Sequence, residues 1–166
     1  MKKKISPSQA QKYFNQAIGL PIWEIAYVAD SIFFFKIGKK IKTTILSEDM
    51  KSKEPYKDGE YVLYLDGDWQ FFEKNKNIVS SNQLKIETNK KYYDKMYALE
   101  NLLKKNVLKI VSIKISQLKA KVEFNNELHF LFQTNEFGML SITSFNDTLI
   151  YYDDTSQSFI KEKCRG

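Results

Sequence analysis

The sequence predicts an α+β protein, mainly antiparallel β-sheet with two α-helices, and three observations predict it. Two segments carry helical spacing between capping signals. Elsewhere the chain breaks into short runs rich in β-branched and aromatic residues, punctuated by Gly, Asp and Asn. Hydrophobic residues make up 43% of the 166 residues, enough for a packed interior. The whole length, 1–166, reads as a single domain.

The first helix follows Ser6-Pro7. Ser6 serves as N-cap, Pro7 sits at the first helical position where its missing N–H costs nothing, and Gly19 ends the helix. Ala10, Tyr13 or Phe14, Ala17 and Ile18 supply the apolar stripe. Pro21 forbids continuation, and from Ile22 the pattern changes. "IWEIAYVA", "SIFFFKIG", "EYVLYL" and "WQFF" read as strands of a meander, with "TILSEDMKSKEPYKDG" between them as a long charged loop. Asp66-Gly67 reads as a two-residue type I′ turn. That turn sets Tyr64 opposite Trp69 and Val62 opposite Phe71 on one apolar face, leaving Leu63, Leu65, Asp68 and Gln70 on a mixed one.

Asn89 is the expected N-cap of the second helix, whose stripe is Tyr92, Met96, Leu99, Leu102 and Leu103 and whose stop is Asn106. Strands return in "VLKIVSIKI", "LKAKVEF", "ELHFLFQT", "MLSITSF" and "TLIYYDD", with Asn125-Asn126 as a two-residue turn. The two strand regions resemble each other in order and length. This pattern predicts a degenerate helix-plus-meander duplication, with pseudo-repeat halves at about 1–88 and 89–166.

Charge and cysteine usage narrow the function. The net charge is +6, yet Arg165 is the one arginine among 26 basic residues. Arginine reads phosphates and guanine edges with a rigid fork, whereas lysine is a mobile point charge. The lysines are dispersed and read first as a solvated surface; a basic nucleic-acid-associated domain is the alternative. Cys164 is the single cysteine and His129 the single histidine, so neither an intramolecular disulfide nor a thiolate zinc cluster is expected. The basic opening "MKKKISPSQAQKYF" is not followed by an apolar core, so no secretory signal is read and a cytoplasmic protein is expected. No run approaches the roughly 18 apolar residues that span a bilayer, so no membrane partner is expected.

No catalytic set emerges, and no enzyme, cofactor or metal is expected. Asp58, Glu60, Asp66 and Asp68 are acidic neighbours, but "DGDW" lacks the spaced ligands and distal Glu of a calcium loop. His129 reads as a sheet histidine sharing a face with Leu131, and there is no G-x-S-x-G, Walker loop or G-x-G-x-x-G. The patch with the clearest functional character is Tyr151, Tyr152, Asp153 and Asp154. Adjacent tyrosines on a strand must point to opposite faces, so one is turned outward beside two acids, as in a protein-binding surface.

The arrangement "GLPIWEIAYVADSIFFFKIGKK", then "GEYVLYLDGDWQFF", a helix and a second set of strands resembles small bacterial immunity-type proteins of polymorphic or contact-dependent inhibition toxin systems. The resemblance runs over residues ~19–155 and rests on structural motifs, which specify a fold better than a job. It implies a stoichiometric inhibitor that binds a cognate toxin protein and occludes it. Immunity proteins against basic nucleases are commonly acidic, so a +6 chain implies a target with an acidic face, or contact through Tyr151 to Asp154.

Overall fold

The computed structural model of the chain describes residues 2–28, 32–46, 53–81, 94, 97, 101, 107–134, 138–145 and 148–163. In chain order the elements are β1 (Lys2–Ile5), α1 (Pro7–Phe14), a 3₁₀ turn (Asn15–Ala17), β2 (Ile22–Val28), β3 (Ile32–Leu46), β4 (Lys53–Asp66), β5 (Asp68–Glu73) and β6 (Lys76–Ser80). They continue as β7 (Ile110–Ser116), β8 (Lys119–Phe124), β9 (Leu128–Gln133), β10 (Met139–Ser144), β11 (Thr148–Asp153) and β12 (Ser158–Lys163). The strands form two antiparallel sheets, ordered β1-β12-β11-β10-β4-β3-β2 and β6-β5-β9-β8-β7.

The first helix begins as the sequence asks. Ser6 Oγ accepts from Gln9 N at 3.2 Å while the Gln9 side chain accepts from Ser6 N at 2.9 Å, a closed capping box. Gly19, at φ +81°, ends the segment in the left-handed region. Ala10, Phe14 and Ala17 are buried, whereas Ile18 is exposed and outside the stripe. Gln11 does further work. Its amide donates to Ile113 O at 2.7 Å and accepts from Ile115 N at 3.0 Å, so one side chain satisfies the open edge of β7. Close by, Gly19 N donates to Ile110 O and Ile22 N to Leu108 O, both at 2.8 Å, joining the two sheets where β2 meets β7.

Asp66-Gly67 is not a hairpin turn. β4 belongs to the seven-stranded sheet and β5 to the five-stranded one, and Gly67 is a one-residue corner between them. The buried residues are Leu63, Leu65, Trp69 and Phe71, so alternation continues through buried Gly67 without a break. A two-residue turn would have placed Leu63 and Phe71 on opposite faces. Glycine is required here: φ is +154°, and a Cβ would lie 2.5 Å from Gln133 O and 2.9 Å from Thr134 Cα.

The expected loop at 44–59 is corrected at 44–46 and 53–59, its middle, 47–52, lying outside the described residues. β3 and β4 stay paired from Lys40↔Gly59 to Leu46↔Lys53, past the last residues paired with β2 and β10, and so form a two-stranded arm. Pro55 is tolerated because, among the described residues, neither edge of the arm has a further strand to bond. Asn125-Asn126 sits in a three-residue connection instead of a two-residue one, with positive φ (63°) at Glu127. β1, β6 and β12 had no counterpart in the sequence reading. The second expected helix lies outside the described residues apart from Asp94, Tyr97 and Asn101, and Cys164 lies outside them too.

An aromatic cluster joins the inner faces. Phe130 packs at 5.2 Å from Phe33, 5.6 Å from Phe35, 6.0 Å from Trp69 and 5.4 Å from Phe71, measured between ring centroids. Each fully buried ring contributes about 1.5–3 kcal/mol by burial and about 0.5–1.5 kcal/mol more per well-placed aromatic pair. Both halves of the chain feed both sheets, since β4 pairs with β10 and β5 with β9. Replacing β2, β3, β4, β10 and β11 by β7, β8, β9, β5 and β6 carries the order β11-β10-β4-β3-β2 onto the second sheet's order.

Candidate interaction surface

The register of the seven-stranded sheet lines up residues far apart in sequence. One row across its outer face runs Ile160, Tyr151, Ser141, Tyr64, Phe34 and Ala26, each paired directly with the next. Directly paired residues share a face, so these side chains all project away from the core. Tyr151, Tyr64 and Phe34 are half-buried, while Ser141 between the tyrosines is only 2% exposed and Ile160 6% exposed. The neighbouring row contributes half-buried Leu149 and Val62 beside Thr143. Burial raises the pKa of Tyr64, with Asp66 adding to the effect. An outer face carrying this much aromatic surface is unusual for a one-sided antiparallel sheet, where that face is normally polar.

At the β2 side the surface ends in a buried cation. Lys36 is 3% exposed; its Nζ lies 3.1 Å from Glu24 Oε1, donates to Lys57 O at 3.1 Å, and sits 4.2 Å from the Tyr56 ring centroid and 5.4 Å from that of Trp23. Burial pushes its pKa down, but hydrogen bonding to Tyr56 and the nearby Glu24 carboxylate outweigh this and leave it raised. Lys36 thereby ties the base of the arm to the aromatic face.

The structure separates the four residues singled out in the sequence. Tyr151 faces outward, within 5.8 Å of Lys2 Nζ. Tyr152 is 8% exposed and packs edge-on against Phe159 at 5.2 Å, so it belongs to the core. Asp153 ends β11 with its carboxyl held below the usual range, chiefly by the Ser156 hydroxyl, against an opposing effect of burial and with help from backbone N–H groups of Ser156 and Thr155 and from Lys2. Asp154 is exposed in the following turn, where its carbonyl accepts from Gln157 N at 3.2 Å. The partners that sequence reading missed, Tyr64 and Phe34, reach Tyr151 only through the β3-β4-β10-β11 pairing. No local signal carries that pairing, and the turn assigned to Asp66-Gly67 had placed Tyr64 on the face of Trp69.

The other candidates are dispersed. His129 stacks on Phe72 (4.8 Å between centroids, 3° between planes), with a pKa lowered first by burial and then by Lys121, against a smaller opposing effect of Glu123. It shares the outer side of β9 with Leu131, as the sequence suggested. Asp58 accepts from Gly59 N at 2.8 Å and Glu60 from Lys39 N at 3.2 Å. Among the described residues no group of three or more His, Cys, Asp or Glu is placed to hold a metal ion, and no helix is long and apolar enough to cross a membrane. Comparison with protein-family models, with curated proteins and with solved structures gave no match.

Proposed function

We propose that this chain is a protein-binding, immunity-type protein of the cytoplasm that neutralises a cognate toxin domain by stoichiometric binding and not by catalysis. The observation supporting this reading is the row Tyr151-Ser141-Tyr64-Phe34 on the outer face of the seven-stranded sheet. Tyrosine offers a large rigid contact area with little rotamer entropy to lose, and contiguous apolar surface rimmed by charge marks association sites. The rim is present: Lys2, Lys4 and Glu162 lie at one end and Glu24 at the other.

The test is affinity capture of the tagged protein from its host's lysate at moderate salt, with the wild type and Tyr64→Ala/Tyr151→Ala in parallel. One dominant protein at near-equal stoichiometry, held by the wild type and lost by the variant, supports the reading. Capture unaffected by the variant removes this face from the proposal. Nucleic acid that washes off with salt would instead support a basic nucleic-acid-associated domain.

A further inference from the structure

The opposite end of the same sheet carries a second feature. β1 is its terminal strand and has β12 as its single neighbour among the described residues, so one edge of β1 presents unpaired backbone N–H and C=O groups. Lys2, Lys3 and Lys4 on that strand are exposed. Register places Ile5 beside Phe159 and Lys3 beside Lys161, so the inner side changes from core to cation within two residues. α1 lies over this side. Between helix and sheet is a cleft of about 520 Å³ whose walls include Lys3, Lys12, Lys161, Lys163, Tyr13 and Gln16. Lys161 Nζ donates to the Tyr13 hydroxyl, and no carboxylate is among the described residues lining the cleft.

The two sides of this strand pair treat charge differently. Outside, Lys2 is matched by Glu162 at 3.6 Å. Inside, four lysines line one cleft without a counter-charge among the described residues, and like charges that share a cleft repel. Lysines along an edge discourage pairing with neutral strands, but they favour a strand that brings carboxylates.

We infer that the free edge of β1 and the lysine cleft beside it take an extended acidic segment of a partner protein, which adds as a further strand with alternate carboxylates directed into the cleft. Strand addition uses the open backbone groups for affinity and alternate side chains for specificity. A phosphodiester chain can meet the lysines but has no amide ladder to offer the edge. This inference rests on the protein-binding reading for the source of the segment. Its test uses a synthetic peptide and no toxin, so either can fail alone.

Fluorescence anisotropy at low salt would use a labelled alternating Glu-Thr peptide of about ten residues. Controls are the corresponding Lys-Thr peptide, a single-stranded DNA of similar charge, and a Glu-Thr peptide N-methylated at alternate residues. The Glu-Thr peptide is expected to bind and to weaken at least about tenfold on Lys3→Glu/Lys163→Glu, with little change on Lys42→Glu/Lys76→Glu, which alters net charge equally. Lys12→Glu, on the helix wall, gives the same readout without altering the sheet. N-methylation should abolish binding. Equal weakening by both double variants, full binding of the N-methylated peptide, tighter cleft-dependent binding of DNA, or no peptide binding at millimolar concentration would each overturn the inference.

Discussion

The two sheets share a strand order yet treat their outer faces differently. In the seven-stranded sheet the outward row is Phe34, Tyr64, Ser141 and Tyr151. In the five-stranded sheet the corresponding row is Lys121, Leu131 and Gln70, extended by Lys114, and the next row runs Glu123, His129 and Phe72, with Glu123 paired to Lys121 at 2.6 Å. The inner faces do not differ in this way, since both contribute phenylalanines to one cluster. Topology and core therefore account for what the sheets have in common. They leave the Tyr151-Ser141-Tyr64-Phe34 row of one sheet unexplained, and that residual difference directs attention to binding.

Five sites test this difference between the sheets. Phe130→Ala should have the largest effect, about 3–5 kcal/mol in chemical denaturation, because it empties the position where both sheets meet. Gly67→Ala should cost about 2 kcal/mol or more, since it combines a disfavoured φ with a Cβ thrust against Gln133 O. Tyr64→Ala/Tyr151→Ala should weaken partner binding by about 2 kcal/mol, roughly 30-fold, whereas Lys114→Ala/Lys121→Ala on the other sheet should change titrated affinity less than threefold, about 0.6 kcal/mol.

Lys36→Met should alter stability at pH 7 by less than about 1 kcal/mol, because removing both burial cost and pairing nearly cancels. Its signature is pH. With a folded pKa raised above the ordinary lysine value near 10.4, Lys36 contributes fully below that value and loses its contribution as pH rises through the raised one. Alkaline melting curves should therefore flatten in the variant; unchanged alkaline loss would count against the pairing. The smallest effect is at His129, whose NMR titration should have its midpoint below 6.5 and move upward in Phe72→Ala. A depressed histidine pKa contributes stability above its unfolded value and loses it as pH falls through the folded one.

The sequence made much of the fold legible where the determinants are local. Ser6, Pro7 and Gly19 bound the segment of α1 and its 3₁₀ turn, and the alternation of "KIVSIKI" and "LKAKVEF" marks β7 and β8. It misled where two local signals disagreed. Asp-Gly suggests a hairpin, but Leu63, Leu65, Trp69 and Phe71 keep one parity across it, and burial of four large side chains outweighs a turn preference. The arm at 40–46 and 53–59 was hidden by its charges and Pro55, because a two-stranded ribbon outside the core needs no apolar alternation. Of the candidate surface only Tyr151 was legible. Its neighbours come from β3, β4 and β10, and register between strands more than 70 residues apart leaves no trace in a single stretch of sequence.

The corner at Gly67 has a consequence for how the chain tolerates length changes. With one residue between β4 and β5, the phase of one sheet is transmitted directly to the other. Inserting a single residue there would turn Trp69 and Phe71 outward and bring Gln70 and Phe72 in, whereas inserting two would restore the original facing. Insertions at this joint should thus be judged by odd or even number before size, while the turn at Gln117-Leu118, which joins two strands of one sheet, should accept either. The two sheets are separate layers, but for counting residues they behave as one strand.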